Sequence, residues 1–248
     1  MQLRDAFVKQ GKWLFKWRSY IPLLIIFIAL PAFWDTVFPS SDGSFGFEDV
    51  WELICLAVAV FGLAVRVYTI GHVPEGTSGR NTSVQRADGL NTTGIYSLVR
   101  HPLYLGNFFI WLGISMFVRC WWLSFIFIIL FILFYERIIF MEEEYLRTKF
   151  GKVWQEWAAR TPMFLPRFKN FEPPTLPFSI RSVLSKENHI LVNIILVFAF
   201  LEVVEELLAK HRFELDLGWI IAVVCGFTIW ATLRVLKKIT AILNVEGR

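Results

Sequence analysis

The sequence predicts an all-α integral membrane protein with about six transmembrane helices. Hydrophobic residues make up 56% of the 248 residues and charged residues only 19%, whereas soluble domains carry about a quarter charged residues. The apolar residues gather in runs of roughly 20, the length that a helix needs to cross about 30 Å of hydrocarbon. Lysine and arginine flank these runs and form no single patch, so the net charge of +4 is typical of membrane-span ends and not of a nucleic-acid surface.

Six apolar runs qualify as spans by their length. Pro22 and Pro31 lie in the first run and should bend it, because proline removes a backbone donor. That run follows a densely charged stretch and has no small-residue cleavage site after it, so we interpret it as a retained span. Only Arg119 and Cys120 separate the third run from the fourth, which predicts a tight helical hairpin. The runs cover residues 20–38, 50–70, 102–118, 121–140, 189–207 and 217–236.

The charges in the loops predict that both termini face the cytoplasm. Lysine and arginine concentrate before the first run, between the second and third, and after the fourth. The loop at residues 39–49 instead has three acidic residues and no basic one, and the loop near residues 205–216 is mainly acidic. Because basic residues close to span ends favour the cytoplasmic side, this alternation predicts a multi-pass protein whose polar segments face the cytoplasm.

Composition divides the chain into three parts. Three prolines in the segment 167–185 predict a linker, because proline stops helices and favours extended backbone. The three parts are an N-terminal segment with the first span at residues 1–45, a core at residues 46–170, and a linker with a two-helix membrane appendage at residues 171–248.

The cysteines indicate neither a disulfide framework nor a metal site. Cys55, Cys120 and Cys225 lie far apart, in or beside apolar stretches, and show no CxxC or Cys/His spacing. We expect them to be buried thiols without a chemical role.

The first segment with chemical potential covers residues 94–106, which are polar before they enter a membrane helix. Pro102 fits the first turn of that helix, where its missing donor costs nothing, and His101 falls at the cap. His101, Tyr104 and Phe108 share one helix face, and the helix N-terminus offers free backbone donors to an anion. A simple interfacial anchor remains an equal alternative, because Tyr, His and Arg often lie at the level of the lipid headgroups.

The second segment lies at the end of the fourth span, where Arg137 is followed by Glu142 and Glu143. Ionisable groups this close to hydrocarbon are costly unless they are paired or line a cavity. On an ideal helix Arg137 shares a face with Glu144, whereas Glu142 lies about 140° away. A solvated acidic turn next to an arginine that reaches the interface is the alternative.

The third segment covers residues 150–166. Trp154 and Trp157 are three residues apart and share a helix face, and Pro162 ends the helix. This pattern predicts a short amphipathic helix that lies against the membrane or covers a pocket.

Together the three segments resemble a known group of membrane enzymes. An Arg-His-Pro-x-Tyr-x-Gly turn, a helical hairpin, a Glu-Glu pair, and then Phe-Gly with spaced aromatics, Arg and Pro are similar to the isoprenylcysteine carboxyl methyltransferase family and its phospholipid methyltransferase relatives. The resemblance covers about residues 94–166. It implies a membrane-embedded enzyme that uses S-adenosylmethionine, with a cytoplasmic-side cofactor pocket formed by interhelical and post-helix segments.

The resemblance also implies roles for particular residues. Arg137, at the acceptor end of the site, and Glu142 are expected to be catalytic. No metal is needed, because methyl transfer from a sulfonium is an in-line displacement that requires mainly alignment and the exclusion of water. The expected cofactor-binding residues are Tyr96, Arg100, His101, Tyr104, Gly106, Glu142 and Glu143.

The expected acceptor is a membrane-embedded lipid or lipidated molecule with an anionic oxygen. A guanidinium such as that of Arg137 can bind two oxygens of a carboxylate or phosphate at once, whereas an amine acceptor must lose a proton and is a poor neighbour for it. Phospholipid amine N-methylation stays an alternative. Two further alternatives are an NADPH-dependent membrane reductase of the steroid or sterol reductase type, which the Gly- and Arg-containing loop 76–89 keeps open, and a non-catalytic membrane scaffold.

Overall fold

The computed structural model describes residues 3–18, 20, 46–77, 87–211, 213 and 215–248, and in these ranges the protein is all-α with no strand longer than an isolated bridge. The predicted span at residues 20–38, except for Tyr20, and most of the loop 76–89 lie outside the described residues. A 3₁₀ turn lies at Phe168–Asn170. The helices are α1 at Leu3–Trp17, α2 at Phe47–His72, α3 at Ile95–Leu98, α4 at Pro102–Phe117, α5 at Trp121–Arg160, α6 at Ile180–Lys210 and α7 at Leu217–Ile239.

Three of the described helices are long and apolar enough to cross a membrane: α2 from Asp49, α5 and α7. They contain the predicted spans at residues 50–70, 121–140 and 217–236. The predicted third span corresponds to α4, which is apolar but only 16 residues long. The predicted fifth span lies inside α6, a helix of 31 residues. The described structure therefore supports three spans by length and composition.

Small residues allow α2 and α4 to approach each other closely. A Cβ atom built on Gly62 would lie 2.4 Å from the carbonyl oxygen of Gly106, and one built on Gly113 would lie 2.4 Å from the carbonyl oxygen of Cys55. Side chains at these positions would clash with backbone, so glycine lets the two helices pack backbone against backbone, as in other membrane helix pairs. This contact fixes the position of α4 relative to α2.

The short connection between α4 and α5 forms the predicted hairpin. Helix α4 ends at Phe117 and α5 begins at Trp121, and Arg119 adopts a left-handed φ of 57° in the turn. The hairpin packs against the appendage, because the fully buried rings of Phe117 and Phe198 meet edge to face with centroids 5.6 Å apart. The two-helix appendage is thus joined to the core through a shared apolar cluster.

The linker between α5 and α6 is extended where its prolines lie, as the sequence predicts, but it is shorter than the predicted 167–185. Helix α6 already begins at Ile180, because the Ser179 hydroxyl accepts a hydrogen bond from the backbone N–H of Ser182 at 3.3 Å and caps the first turn. Upstream, the Gly94 N–H donates to the Glu172 carbonyl at 2.8 Å and the Arg167 N–H donates to the Leu98 carbonyl at 3.0 Å. These bonds hold the linker against the α3 turn.

The cysteines are all free thiols. Cys55 and Cys120 are buried, as expected, whereas Cys225 is exposed on α7. The expectation of burial is therefore wrong for Cys225, because most of the apolar part of α7 faces away from the protein.

Candidate functional site

The start of α4 places His101 at the centre of the candidate site. The backbone leaves the α3 turn in an extended conformation at Val99, and His101 is the N-cap residue of α4 with Pro102 directly after it. The Arg100 N–H donates to the carbonyl of Pro162 at 2.9 Å. The segment is therefore fixed by α4 on one side and by the end of α5 on the other, and His101 is buried with 8% of its surface exposed.

Two adjacent carboxylates of α5 converge on this histidine. His101 Nε2 lies 3.0 Å from Glu143 Oε1, and His101 Nδ1 lies 3.8 Å from Glu142 Oε2. The Tyr104 hydroxyl donates to Glu142 Oε1 at 2.5 Å, and Arg100 forms an ion pair with Glu143 Oε1 at 3.0 Å. The structure thus brings together five of the residues that the resemblance implies for cofactor binding.

Aromatic rings form one wall of this cluster. The ring of Tyr104 lies nearly parallel to that of His101, with centroids 5.7 Å apart, and it also contacts the ring of Tyr135 at 4.6 Å. The ring of Tyr135 stacks on Phe131 at 4.2 Å. The polar cluster therefore borders directly on the apolar interior of the α4–α5 hairpin.

The N-terminal helix adds a cation that the sequence reasoning missed. The guanidinium of Arg18 lies 3.9 Å from Glu142 Oε1 and 3.9 Å from the centroid of the Phe15 ring. Phe15 is buried in a small apolar cluster with Ile138 and Met141 of α5. Docking of α1 on α5 therefore brings Arg18 to the site, and no local sequence pattern around residue 18 signals this contact.

Arg137 lies in a different environment from that of Glu142. Its guanidinium forms an ion pair with Glu136 and lies 4.1 Å from the centroid of the Phe7 ring. These contacts direct the side chain towards α1. The assignment of Arg137 to the acceptor end of the site stays a prediction.

Gly106 and Tyr96 also have structural surroundings that the sequence did not indicate. A Cβ atom on Gly106 would lie 2.5 Å from Cγ of Arg66 and 2.8 Å from the carbonyl oxygen of Gly62, so this glycine faces α2 in the close helix contact. The carbonyl of Tyr96 accepts a hydrogen bond from Trp157 Nε1 at 3.0 Å. Burial raises the pKa of the Tyr96 phenol, which keeps this group neutral at ordinary pH.

A sharp bend in α5 carries the two tryptophans back towards the α3 turn. Gly151 interrupts the helix with φ 54° and ψ −121°, a conformation that residues with a side chain rarely adopt. After the bend Trp154 and Trp157 are both buried, and the helix ends at Arg160, two residues before Pro162. The predicted amphipathic turn is thus continuous with α5 and packs onto the protein.

Two buried N–H groups, one at the site and one after the Gly151 bend, have no acceptor in the described part of the chain. These are Nε of Arg100 and Nε1 of Trp154. Buried donors of this kind are costly to leave unsatisfied. An open groove of about 460 Å³ lies beside Arg100 and is bounded by Arg160, Thr161 and Pro162. Arg100 therefore connects this groove with the carboxylate cluster, through its ion pair with Glu143.

The site shows no grouping of ligands that suits a metal ion. Among the residues that the structure describes, no set of three or more His, Cys, Asp or Glu side chains has a geometry able to hold one. The carboxylates here are engaged by His101, Arg100, Tyr104 and Arg18 instead.

Comparison with known proteins relates this region to a family. Residues 51–153, which include α4, the hairpin and the Glu142–Glu143 pair, match the family model of the phospholipid methyltransferases. The match covers less than half of the chain and makes this segment similar to that family. The match begins early in α2 and ends just after the Gly151 bend, so the matched segment includes both the close α2–α4 contact and the carboxylate pair.

Three curated proteins are similar to the chain. One is a nickel-cobalt-cadmium resistance protein, NccN, of Alcaligenes xylosoxydans xylosoxydans, 33% identical over 50% of this chain and 56% of its own length. Another is a cobalt-zinc-cadmium resistance protein, CzcN, of Cupriavidus metallidurans, 35% identical over 42% of this chain and 47% of its own. The third is a protein-S-isoprenylcysteine O-methyltransferase of Schizosaccharomyces pombe, 31% identical over 52% of this chain and 55% of its own.

The chain spans about half the length of these curated relatives. No solved structure matches it significantly.

Replacement of Gly151 by alanine should destabilise the protein, because the bend requires a positive φ. Strain of this type costs about 1–3 kcal/mol, and the thermal unfolding midpoint in detergent, followed by tryptophan fluorescence, should fall accordingly. Lys152→Ala is the matched control, since Lys152 is exposed on the next position. Equal midpoints for the two variants would contradict a bend enforced by glycine.

Proposed function

We propose that the protein transfers a methyl group from S-adenosylmethionine to a membrane-embedded lipid or lipidated acceptor. The observation that carries the proposal is the convergence of His101 and Tyr104, at the start of α4, with Glu142 and Glu143, near the middle of α5. These residues lie inside the segment that matches the phospholipid methyltransferase family model. One of the similar proteins is named as an O-methyltransferase of isoprenylcysteine. Both facts favour transfer to an acceptor that is anchored in lipid.

The side chains at the site match the polar groups of S-adenosylmethionine. Glu142 and Glu143 are acceptors suited to ribose hydroxyls or to the amino group, and the unsatisfied N–H groups of Arg100 and Trp154 are donors suited to a carboxylate or an adenine nitrogen. The face of Tyr104 suits a cation or an adenine ring. When bound, the cofactor supplies an electrophilic methyl group on a sulfonium.

The work left to the protein is alignment and the exclusion of water. The His101–Glu143 and Tyr104–Glu142 contacts hold both carboxylates in fixed orientations, so little reorganisation is needed when a ligand binds. The rings of Phe108, Phe131 and Phe164 pack together beside the cluster. They give the site an apolar side from which water is excluded and along which a lipid chain has favourable contacts.

We propose an anionic oxygen, on a carboxylate or a phosphate, as the acceptor atom. Two arginines are candidates to hold it. The sequence proposes Arg137, and the geometry favours Arg18, because Arg18 lies within 4 Å of Glu142 whereas Arg137 is paired with Glu136. A guanidinium at this position stabilises two acceptor oxygens and disfavours a protonated amine.

Loss of either carboxylate should weaken cofactor binding. In Glu142→Gln and Glu143→Gln, the affinity of detergent-purified protein for S-adenosylhomocysteine should fall by about 10- to 100-fold, because hydrogen bonds to charged groups contribute roughly 1.5–3 kcal/mol. Isothermal titration calorimetry measures this change. Glu156→Gln is the control, since Glu156 is exposed on the same helix, and NADPH is titrated in parallel. Binding of NADPH in place of S-adenosylhomocysteine would point to the reductase alternative, and binding of neither would point to a scaffold.

The chemistry of the product distinguishes the two classes of acceptor. Cells that contain the protein and are labelled with methionine carrying a radioactive methyl group should accumulate a lipid-soluble product with the label on oxygen. A carboxylate methyl ester loses this label as methanol in mild base, whereas a methyl phosphodiester keeps it and is recognised by its phosphate. The product should be absent with the Glu142→Gln variant. Label that resists base and stays on a headgroup amine would overturn the oxygen acceptor while leaving methyl transfer intact.

Matched variants of Arg18 and Arg137 distinguish the roles of these two residues in turnover. Arg18→Gln should lower turnover at saturating cofactor by about tenfold or more, because it removes the cation next to Glu142, whereas Arg137→Gln should stay within about twofold. The initial rate of label transfer from S-adenosylmethionine into the lipid-soluble product measures both. A larger loss in Arg137→Gln would support the assignment that the sequence suggested.

A further inference from the structure

A buried ion pair connects the core to the appendage. Arg66 lies in the second half of α2 and Glu187 near the start of α6, 121 positions further along the chain. Arg66 Nε donates to Glu187 Oε2 at 2.8 Å, and a second guanidinium nitrogen donates to Glu187 Oε1 at 3.0 Å. Only 11% of the Arg66 side chain and 3% of the Glu187 side chain are exposed. This is a two-point contact with a fixed geometry.

The two partners come from different parts of the protein. Arg66 belongs to the phospholipid methyltransferase segment at residues 51–153, whereas Glu187 lies beyond it. A buried arginine needs a counter-charge, because an unpaired charge in an apolar environment is strongly unfavourable. The appendage therefore supplies Glu187 as the counter-charge of Arg66 in the core.

The remaining nitrogen of Arg66 extends the contact to α4. It donates to Asn107 Oδ1 at 2.8 Å and to the carbonyl of Leu103 at 3.3 Å. Since a guanidinium can only donate, it fixes the carbonyl side of the Asn107 amide. The amide nitrogen then points the other way and donates to the Tyr135 hydroxyl at 3.1 Å.

Tyr135 completes the path to the candidate site. Its ring packs against that of Tyr104 with centroids 4.6 Å apart, and the Tyr104 hydroxyl donates to Glu142. All the links are hydrogen bonds or ring contacts between buried or half-buried groups. Such networks hold their members in one arrangement when every donor has an acceptor.

We propose that Glu187 is a positioning residue for the candidate site. Through Arg66, Asn107 and Tyr135 it fixes the position of the first turns of α4, and so keeps the Tyr104 hydroxyl within hydrogen-bond distance of Glu142. The two-helix appendage thereby completes the cofactor site of the core. The part of this proposal that concerns the cofactor rests on the proposed function. The part that concerns the order of α4 does not.

The chain offers a matched control. Arg119 in the hairpin turn forms an ion pair with Glu205 near the other end of α6, and this pair also joins the core to the appendage. Glu205→Gln therefore removes a comparable contact between the same two parts without touching Asn107 or Tyr135. A general loosening of the appendage affects both variants, whereas a positioning role is specific to Glu187.

The experiment compares Glu187→Gln and Glu205→Gln by two measurements on detergent-purified full-length protein. Hydrogen–deuterium exchange of peptides covering residues 98–108 should rise in Glu187→Gln only. The dissociation constant for S-adenosylhomocysteine should increase about five- to tenfold in Glu187→Gln, a size typical of coupling between sites, and less than twofold in Glu205→Gln. Equal effects of the two variants on both measurements would overturn the proposal.

A double variant keeps the test valid if Glu187→Gln folds poorly. Arg66→Met combined with Glu187→Met removes both charges, so no unpaired charge is buried, and similar replacements of buried pairs are often tolerated. This double variant should have the wild-type unfolding midpoint. Its dissociation constant for S-adenosylhomocysteine should stay raised, and residues 98–108 should still exchange faster than in the wild type. Wild-type exchange and affinity in this variant would show that the pair has no positioning role.

The two measurements separate failure of the inference from failure of the proposed function. If the wild-type protein does not bind S-adenosylhomocysteine but exchange at residues 98–108 still rises selectively in Glu187→Gln, the positioning role stands and the cofactor assignment fails. If the wild-type protein binds and Glu187→Gln matches it in both measurements, the inference is wrong and the proposed function stands.

Discussion

Ionisable side chains beside apolar helices must be paired, and this constraint determines where the polar residues of the protein lie. Hydrocarbon and packed apolar side chains solvate charge poorly, so each buried carboxylate or guanidinium needs a partner at hydrogen-bond distance. Glu142 and Glu143 find theirs in Tyr104, His101 and Arg100, and Arg66 finds its partner in Glu187. The helices take the relative positions that allow these pairs to form.

The close contact between α2 and α4 makes this pairing possible. With glycine at positions 62, 106 and 113 the two backbones approach until a side chain at any of these sites would clash. Arg66 then lies directly beside the first turns of α4 and reaches Asn107 and Leu103. Gly106, which the resemblance suggested for cofactor binding, has a direct role in this helix contact.

The candidate site therefore lies between the packed α2–α4 pair and the part of α5 that follows the Gly151 bend. The α2–α4 pair and its ion pair to α6 hold one side, and the Gly151 bend in α5 brings Trp154 and Trp157 to the other. Hydrogen bonds from the linker and from Arg100 to Pro162 close the segment between them. Side chains from both parts meet at Glu143, which is where Arg100 and His101 converge.

Much of this arrangement was predictable from the sequence, because its signals are local. Runs of apolar residues predicted α2, α5 and α7, two residues between two runs predicted the hairpin, and clustered prolines predicted the extended linker. The family resemblance singled out His101, Tyr104, Glu142 and Glu143 for cofactor binding, whereas the motifs by themselves left an interfacial anchor or a solvated acidic turn as alternatives. The start of α6 was misplaced because a single capping serine, Ser179, begins the helix within the predicted linker.

Tertiary structure alone decided which of these groups meet. Arg18 reaches Glu142 because α1 docks through Phe15, and Arg137, which the sequence placed at the acceptor end, points to Glu136 and Phe7. Glu187 binds Arg66 across 121 positions of sequence. Helical periodicity reports which residues share a face of one helix, but contacts between helices depend on how side chains pack at their crossings, and that information is spread over the whole chain.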